Sequence, residues 1–409
     1  MRTEVAIEAL GAKGDGVARL GGEPVFVPFA LPGERVVVES AGARSAPVEI
    51  LERSPERQEP PCPHFGACGG CDLQHTGDAL YRRFKRGLVV DAFASQGLEA
   101  PIAELVPCRP ATRRRAVFAG ARTGGGGFAF GFHERRSERI VPLHVCHVVV
   151  PAIAARLEAL GRLASLIAPR RGEVRLTVTA TDGGLDLAAA DAGKLDERQR
   201  RNVLSFALAQ DFARLTVNGE TIVEARRPRV AVGTVAVEPP PGAFLQAVPS
   251  AEDAMAKLVL EHLAKSKQVA DLFAGIGTFA LRLAERSTVR AYESDAPALA
   301  ALDKARRAAP KLRPVAFERR DLFRRPVTAK ELASFDGAMF DPPRAGAEAQ
   351  SREFAASKLP RIAAVSCNPA TLARDCRILV DGGYRVLSVT PIDQFLWSHH
   401  VEAVALLER

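Results

Sequence analysis

The chain has 409 residues, 47% hydrophobic and 25% charged, a balance that excludes a disordered or collagen-like chain and suits two or three domains of about 150 residues each. No apolar run approaches the ~18 residues of a membrane span, and the start (Met1, Arg2, Thr3, Glu4) lacks the apolar stretch of a signal peptide, so a cytoplasmic location is expected. A net charge of +8 favours a polyanionic partner, and seven cysteines, an odd number, argue against a disulfide framework and for metal or catalytic roles.

Residues 1–53 read as short strands. Val5, Ile7 and Leu10 lead into a glycine-rich turn at Gly11, Gly14 and Gly16, followed by apolar runs at 25–27, 36–38 and 48–51, with Pro32-Gly33 between. Short strands divided by Gly and Pro turns predict a small β-barrel. Residues 54–61 are polar and Pro-rich, a linker. Residues 62–240 predict a central α/β region that opens with a cysteine cluster. Helices are expected over 79–96 and 151–167, strand-like runs break at 124–127, and Asp182-Gly183-Gly184 signals a hairpin. Residues 244–409 alternate strands and helices. Strands are expected over 269–273, 289–292, 337–340, 362–365 and 401–407, with a helix over 278–285. Such alternation predicts an α/β fold with a parallel sheet covered on both faces, which binds ligands at the carboxyl ends of its strands.

The chemistry gathers at those ends. The segment Asp271-Leu272-Phe273-Ala274-Gly275-Ile276-Gly277-Thr278-Phe279 closes a strand and opens a helix, and its glycines permit a tight turn close to a ligand. Glu293 ends the next strand, where a carboxylate can accept two ribose hydroxyls. Asp271, four residues before Gly275, suits adenosylmethionine better than a dinucleotide, because it can hold the methionine end. Asp341-Pro342-Pro343-Arg344 fixes a carboxylate at a strand tip. Amino-directed methyltransferases place an aromatic residue after such a pair, where Arg344 stands here. Ser366-Cys367-Asn368-Pro369 puts a thiol ahead of a helix, whose N-terminal charge is expected to lower the thiol pKa. Glu402, after His400 and Val401, lies in a final apolar strand. Cys62, Cys68 and Cys71, with Cys146 far downstream, offer four thiolates for Zn²⁺ or a four-iron cluster, which spacing does not separate. Cys376 reads as a core residue and Cys108 as a spare in a loop. Arg113, Arg114, Arg115, Arg135 and Arg136 are candidate phosphate contacts.

Together these residues resemble the RNA uracil-C5 methyltransferases, and within them the 23S ribosomal RNA branch, over nearly the whole length. Gly14-Asp15-Gly16-Val17-Ala18 and Leu31-Pro32-Gly33-Glu34 resemble a TRAM domain, an OB-like RNA-binding barrel. Cys62, Cys68, Cys71 and Cys146 match the family's cluster ligands, which implies [4Fe-4S]. Gln246, in Phe244-Leu245-Gln246, matches a residue that contacts S-adenosyl-L-methionine. Phe273, Thr278, Glu293, Asp321 and Asp341 fall at the other cofactor positions of a Rossmann-like class I methyltransferase domain, expected over 244–409. The segment from Ser366 to Asp375 is the most specific match, and it implies Cys367 as nucleophile and Glu402 as base. The chain departs from the family at Thr278, where Asn is common, and at Phe395-Leu396, where Phe-Pro is usual.

The resemblance implies methylation of C5 of a uridine, in 23S rRNA first and in tRNA as the alternative, since the tRNA branch typically lacks both the TRAM module and the cluster. Cys367 would attack C6, Glu402 would remove the C5 proton, and the base would leave its stack. A cytosine-C5 enzyme would carry Cys directly after its Pro motif, a radical enzyme a Cys-x3-Cys-x2-Cys spacing, and a non-catalytic RNA-binding protein would need neither Cys367 nor Glu402. RNA is the expected partner, with no membrane association, and a monomer is expected.

Overall fold

Val, Ile and Ala alternating with polar residues in short runs cannot bury a face alone, so the N-terminal strands pair. Arg2–Ala6, Arg35–Glu39 and Ala46–Glu52 form one three-stranded antiparallel sheet, and Ala9–Leu10, Gly16–Leu20 and Glu23–Val27 form another. Between them lie Val5, Ile7, Ala18, Val27, Val36 and Val38, all buried. Gly16, the last glycine of the expected turn, opens the strand Gly16–Leu20. A Cβ at Gly16 would stand 2.8 Å from the Ala30 carbonyl oxygen, so glycine here serves close packing. The computed structural model describes residues 2–39 and 46–409; residue 1 and residues 40–45 of the expected 1–53 barrel lie outside the described residues.

The central region opens with the cysteine loop and then helix α1 (Asp78–Ser95), whose buried stripe runs Tyr81, Phe84, Lys85, Val89, Phe93. Val89 and Phe93 pack into one core with Leu372 and Cys376 of the C-terminal region, so α1 belongs structurally to both. A seven-stranded sheet follows. Arg115–Arg122 and Phe128–His133 flank the expected glycine break, and Glu173–Thr181 pairs with Gly184–Ala190 across the expected hairpin turn. The helix expected over 151–167 is two pieces, Pro151–Ala154 and Leu157–Ile167. A further helix, Glu197–Ala209, was not anticipated; Asp196 and Gln199 form its capping box.

The C-terminal sheet contains β1 (Gln268–Leu272), β2 (Thr288–Glu293), β3 (Val315–Arg319), β4 (Gly337–Phe340), β5 (Arg361–Ser366), β6 (Arg385–Ile392) and β7 (Glu402–Glu408), numbered within this sheet. Their order is β3-β2-β1-β4-β5-β7-β6. Strands β1 to β5 pair in parallel, and β7 lies antiparallel between β5 and β6. Alternate residues feed opposite layers. In β5, Ala363 and Val365 join one core, while Ile362 and Ala364 join the other. The helix expected over 278–285 is helical only at Ala280–Leu283. Gly277, at φ 94°, keeps the preceding residues in turns. Helix α2 (Pro369–Asp381) follows β5. Among the described residues no helix is long and apolar enough to cross a membrane.

Candidate active site

The carboxyl ends of β1, β2, β3 and β4 bring Phe273, Glu293, Asp321 and Asp341 to one edge. Glu293 is held by backbone amides: Gly275 N donates to Oε2 at 3.0 Å, while Ser294 N and Asp295 N donate to Oε1 at 2.6 and 2.8 Å. Asp321 accepts from Phe323 N at 3.0 Å. The Phe323 ring lies 5.5 Å from that of Phe273, whose φ is 63°. Thr278 is half-buried in the same loop. A Cβ on Gly275 would meet nothing within 4 Å, which leaves open space against the loop. Asp271 is buried with neither carboxylate oxygen well hydrogen-bonded. Burial pushes its pKa well above the usual range, and the charges of Asp341 and Glu293 push the same way. Three carboxylates around one loop favour a ligand that carries positive charge, and adenosylmethionine carries a sulfonium and an ammonium.

A chain of carboxamides leads from this edge inward. Gln246 Nε2 donates to Asp341 Oδ2 at 2.9 Å. Gln394 Nε2 donates to Gln246 Oε1 at 2.7 Å and to Glu402 Oε2 at 2.6 Å. Gln394 Oε1 accepts from Ala247 N at 3.0 Å. Gln246, Gln394 and Glu402 are all buried. Desolvation pushes both Asp341 and Glu402 above the carboxylate range, and for Glu402 the Asp341 charge adds to it. Cys367, between β5 and α2, senses both carboxylates.

The expectation of a lowered thiol pKa at Cys367 is corrected. Burial first, then the charges of Glu402 and Asp341, push it up to about 11, against the opposing pull and hydrogen bond of Arg344. The helix end does little to offset this. Pro369 has no N–H, Asn368 Oδ1 takes Ala370 N at 3.2 Å, and Ser366 Oγ takes Asn368 N at 3.1 Å. Arg344 Nη2 lies 2.9 Å from the His400 ring nitrogens. Burial, with His399 and Arg344 alongside, pushes His400 down to about 3, so it stands neutral at pH 7 and can accept from Arg344. Arg344, Cys367, His399 and His400 line a cavity of 770 Å³ that reaches Lys13 and Pro32 of the N-terminal barrel and Arg83 of α1.

Sequence reasoning missed Gln394 and passed over Arg344 except as a missing aromatic residue. The available signal for Gln394 was Asp393-Gln394, two polar residues inside the apolar stretch 389–396.

Cys62, Cys68, Cys71 and Cys146 are free thiols that line a second cavity, of 680 Å³. Gly69 is required in their loop, because a Cβ there would stand 2.7 Å from the His133 carbonyl oxygen. Among the described residues no group of three or more His, Cys, Asp or Glu is arranged to hold a metal ion. The five arginines expected to meet phosphate are largely engaged within the protein. Arg114 is buried against Glu252 at 2.5 Å and the Gln246 carbonyl at 3.1 Å. Arg115 donates to the Ala243 carbonyl at 2.9 Å. Arg135 and Arg136 pair with Asp15 at 2.9 Å, joining the barrel to the central region. Arg113 lies 5.8 Å from the Phe395 ring centroid. Cys376 is buried core, as expected.

Comparison with known proteins gives the family and the fold. A family model described as tRNA (Uracil-5-)-methyltransferase matches residues 210–409, and a TRAM domain model matches residues 2–39. An uncharacterized RNA methyltransferase of Brucella suis is 53% identical over 99% of this chain and 98% of its own. A 23S rRNA (uracil(1939)-C(5))-methyltransferase of Chromohalobacter salexigens is 35% identical over 99% of this chain and 89% of its own. Among solved structures, the Pyrococcus abyssi tRNA (uracil-54, C5)-methyltransferase in complex with S-adenosyl-L-homocysteine shares the fold, with a TM-score of 0.76 over 99% of both chains at 22% identity. The chain belongs to the adenosylmethionine-dependent RNA uracil-C5 methyltransferase family.

Proposed function

We propose that the protein methylates C5 of a uridine in 23S rRNA through a covalent bond between Cys367 and C6 of the base. The observation that carries this is the pocket in which the Cys367 thiol feels Glu402 and Asp341 together and opens to a cavity lined by the barrel and α1. The Cys367 thiolate adds to C6, and the displaced π electrons make C5 nucleophilic. Gln246, Phe273, Thr278, Glu293, Asp321 and Asp341 would hold adenosylmethionine, whose sulfonium would supply the methyl group. Arg344 favours the thiolate. Glu402 removes the C5 proton, the C5–C6 double bond re-forms, and Cys367 leaves. A carboxyl pushed towards neutrality suits that task, because it both takes up and returns a proton near pH 7.

Cys62, Cys68, Cys71 and Cys146 are the proposed ligands of a [4Fe-4S] cluster. A single Zn²⁺ would draw all four thiolates within ~2.3 Å of one point, whereas a four-iron cube takes one thiolate at each corner. Four thiols around one cavity supply the ligands for either group, and their match to the family's cluster ligands favours the iron cluster. The group would order the loop between barrel and central sheet.

The TRAM module, the four cysteines and the 23S-acting relative support ribosomal RNA. The fold shared with an archaeal tRNA enzyme keeps tRNA as the second reading. Nucleoside mass spectrometry of 23S rRNA and tRNA, from cells with and without the gene, tests both. Loss of 5-methyluridine from 23S rRNA is expected. Loss from tRNA alone replaces the substrate, and loss from neither overturns the proposal.

A further inference from the structure

Between β6 and β7 the chain runs from Asp393 to Val401 without regular structure, and this segment carries Gln394 and leads directly into Glu402. Its path is set from outside the catalytic sheet. Lys85, in the middle of α1 and 0% exposed, donates to Asp393 Oδ1 at 3.0 Å, to the Phe395 carbonyl at 3.0 Å, and to the His400 carbonyl. An ammonium has three N–H donors, and all three are used. One turn earlier, Tyr81 donates to Asp393 Oδ2 at 2.6 Å and accepts from Trp397 N at 2.9 Å. The segment is therefore gripped at its beginning, middle and end by a single face of α1.

A buried ion pair of this kind is a weak source of stability, since well-packed apolar residues often replace one at no loss. The Lys85 donors are saturated by three acceptors, which leaves none for substrate. What the arrangement does supply is geometry. We infer that Lys85 is a positioning residue for methyl transfer: by fixing the 393–400 segment it sets where Gln394 and Glu402 stand relative to Cys367. The inference rests on the reading of Glu402 as the base, and on that reading Lys85 acts on release of the product more than on attack by the thiol.

The test uses the full-length protein, radiolabelled adenosylmethionine and ribosomal RNA from cells that lack the gene. Rapid quenching measures how fast the denaturation-stable RNA–protein adduct forms and decays. In Lys85→Met, adduct decay is expected to slow by about 10- to 100-fold, the scale for a misplacement near 1 Å. Adduct formation, which the segment touches only through the His400–Arg344 contact, is expected to slow much less than decay, and the KM for adenosylmethionine to stay near wild type. Decay at the wild-type rate, or formation and decay slowed equally, overturns the inference. Glu402→Gln runs alongside. If it does not accumulate methylated adduct, the base assignment fails and the inference with it; if it does and Lys85→Met does not, only the inference fails. Should Lys85→Met lose binding of S-adenosylhomocysteine through misfolding, Tyr81→Phe replaces it. That change removes one donor from the same Asp393 carboxylate, and slower decay is again expected, with an unchanged rate overturning the inference.

Discussion

Gln394 donates a single amide nitrogen to Glu402 at 2.6 Å and to Gln246 at 2.7 Å, and so ties the strand that carries the carboxylate to the segment that reaches Asp341. Gln394→Leu keeps the volume but takes this partner from Glu402 Oε2, Gln246 Oε1 and Ala247 N. A stability loss of about 1–3 kcal/mol is expected for the stranded buried groups. Thermal denaturation measures it, and turnover should fall in the same variant.

Cys367→Ala removes the atom proposed to bond C6. Turnover should fall by on the order of 10⁴-fold, while RNA binding measured by filter retention stays within a few-fold. No adduct should form with 5-fluorouridine RNA; an adduct in this variant would sink the nucleophile assignment.

Glu402→Gln should lose about 10²- to 10⁴-fold in turnover and hold methylated RNA on the enzyme. It also carries a stability signature. The folded protein binds a proton at Glu402 more tightly than the unfolded chain does, because burial and Asp341 raise the carboxyl. That contribution is present below the unfolded carboxylate value and is lost as pH rises through the raised folded value. Gln cannot ionise, so the variant should melt above wild type near pH 8.5 and close to it near pH 4. Calorimetry at the two pH values checks the sign.

The rate of adduct formation should climb with pH. Cys367 is pushed up to about 11, so at neutral pH only a small fraction is thiolate in the RNA-free protein. Single-turnover adduct formation at saturating RNA should rise towards tenfold per pH unit between about pH 6.5 and 8.5. Arg344→Gln removes the opposing charge and should lower the rate at every pH without flattening the slope. A pH-independent rate would mean that bound RNA resets the thiol.

Replacing any one of Cys62, Cys68, Cys71 or Cys146 by Ser should abolish iron and sulfide content and the brown colour of anaerobically purified protein. The substitution Cys108→Ser should change none of these, since Cys108 lies by Lys85 and Asp393 instead. Iron analysis decides it.

Much of the catalytic sheet was legible because parallel strands are short apolar runs that stop at a polar motif, as 337–340 stops at Asp341 and 362–365 at Ser366-Cys367. The run 401–407 was equally legible as a strand, but its antiparallel insertion between β5 and β6 was not, because strand direction leaves no mark on an apolar run. Arg114 looked like a surface cation and is buried, since its partner Glu252 is 138 residues away and only the fold brings them together. Gln394 was hidden for the same reason: its partners Gln246 and Glu402 come from separate segments. The Cys367 motif was plain, but its acidity depends on burial and on carboxylates that arrive from β4 and β7.

That inserted strand also bears on when the protein can act. β7 follows β6 in the chain yet takes the place between β6 and β5. During synthesis on the ribosome, β5 and β6 emerge with their mutual edge open, and Cys367 appears before Glu402 has been made. A nascent chain halted short of residue 402 would hold the thiol without the group proposed to release it. The strand that fills the gap between β5 and β6 is thus the same strand that carries Glu402, so closure of the sheet and arrival of that carboxyl are one event.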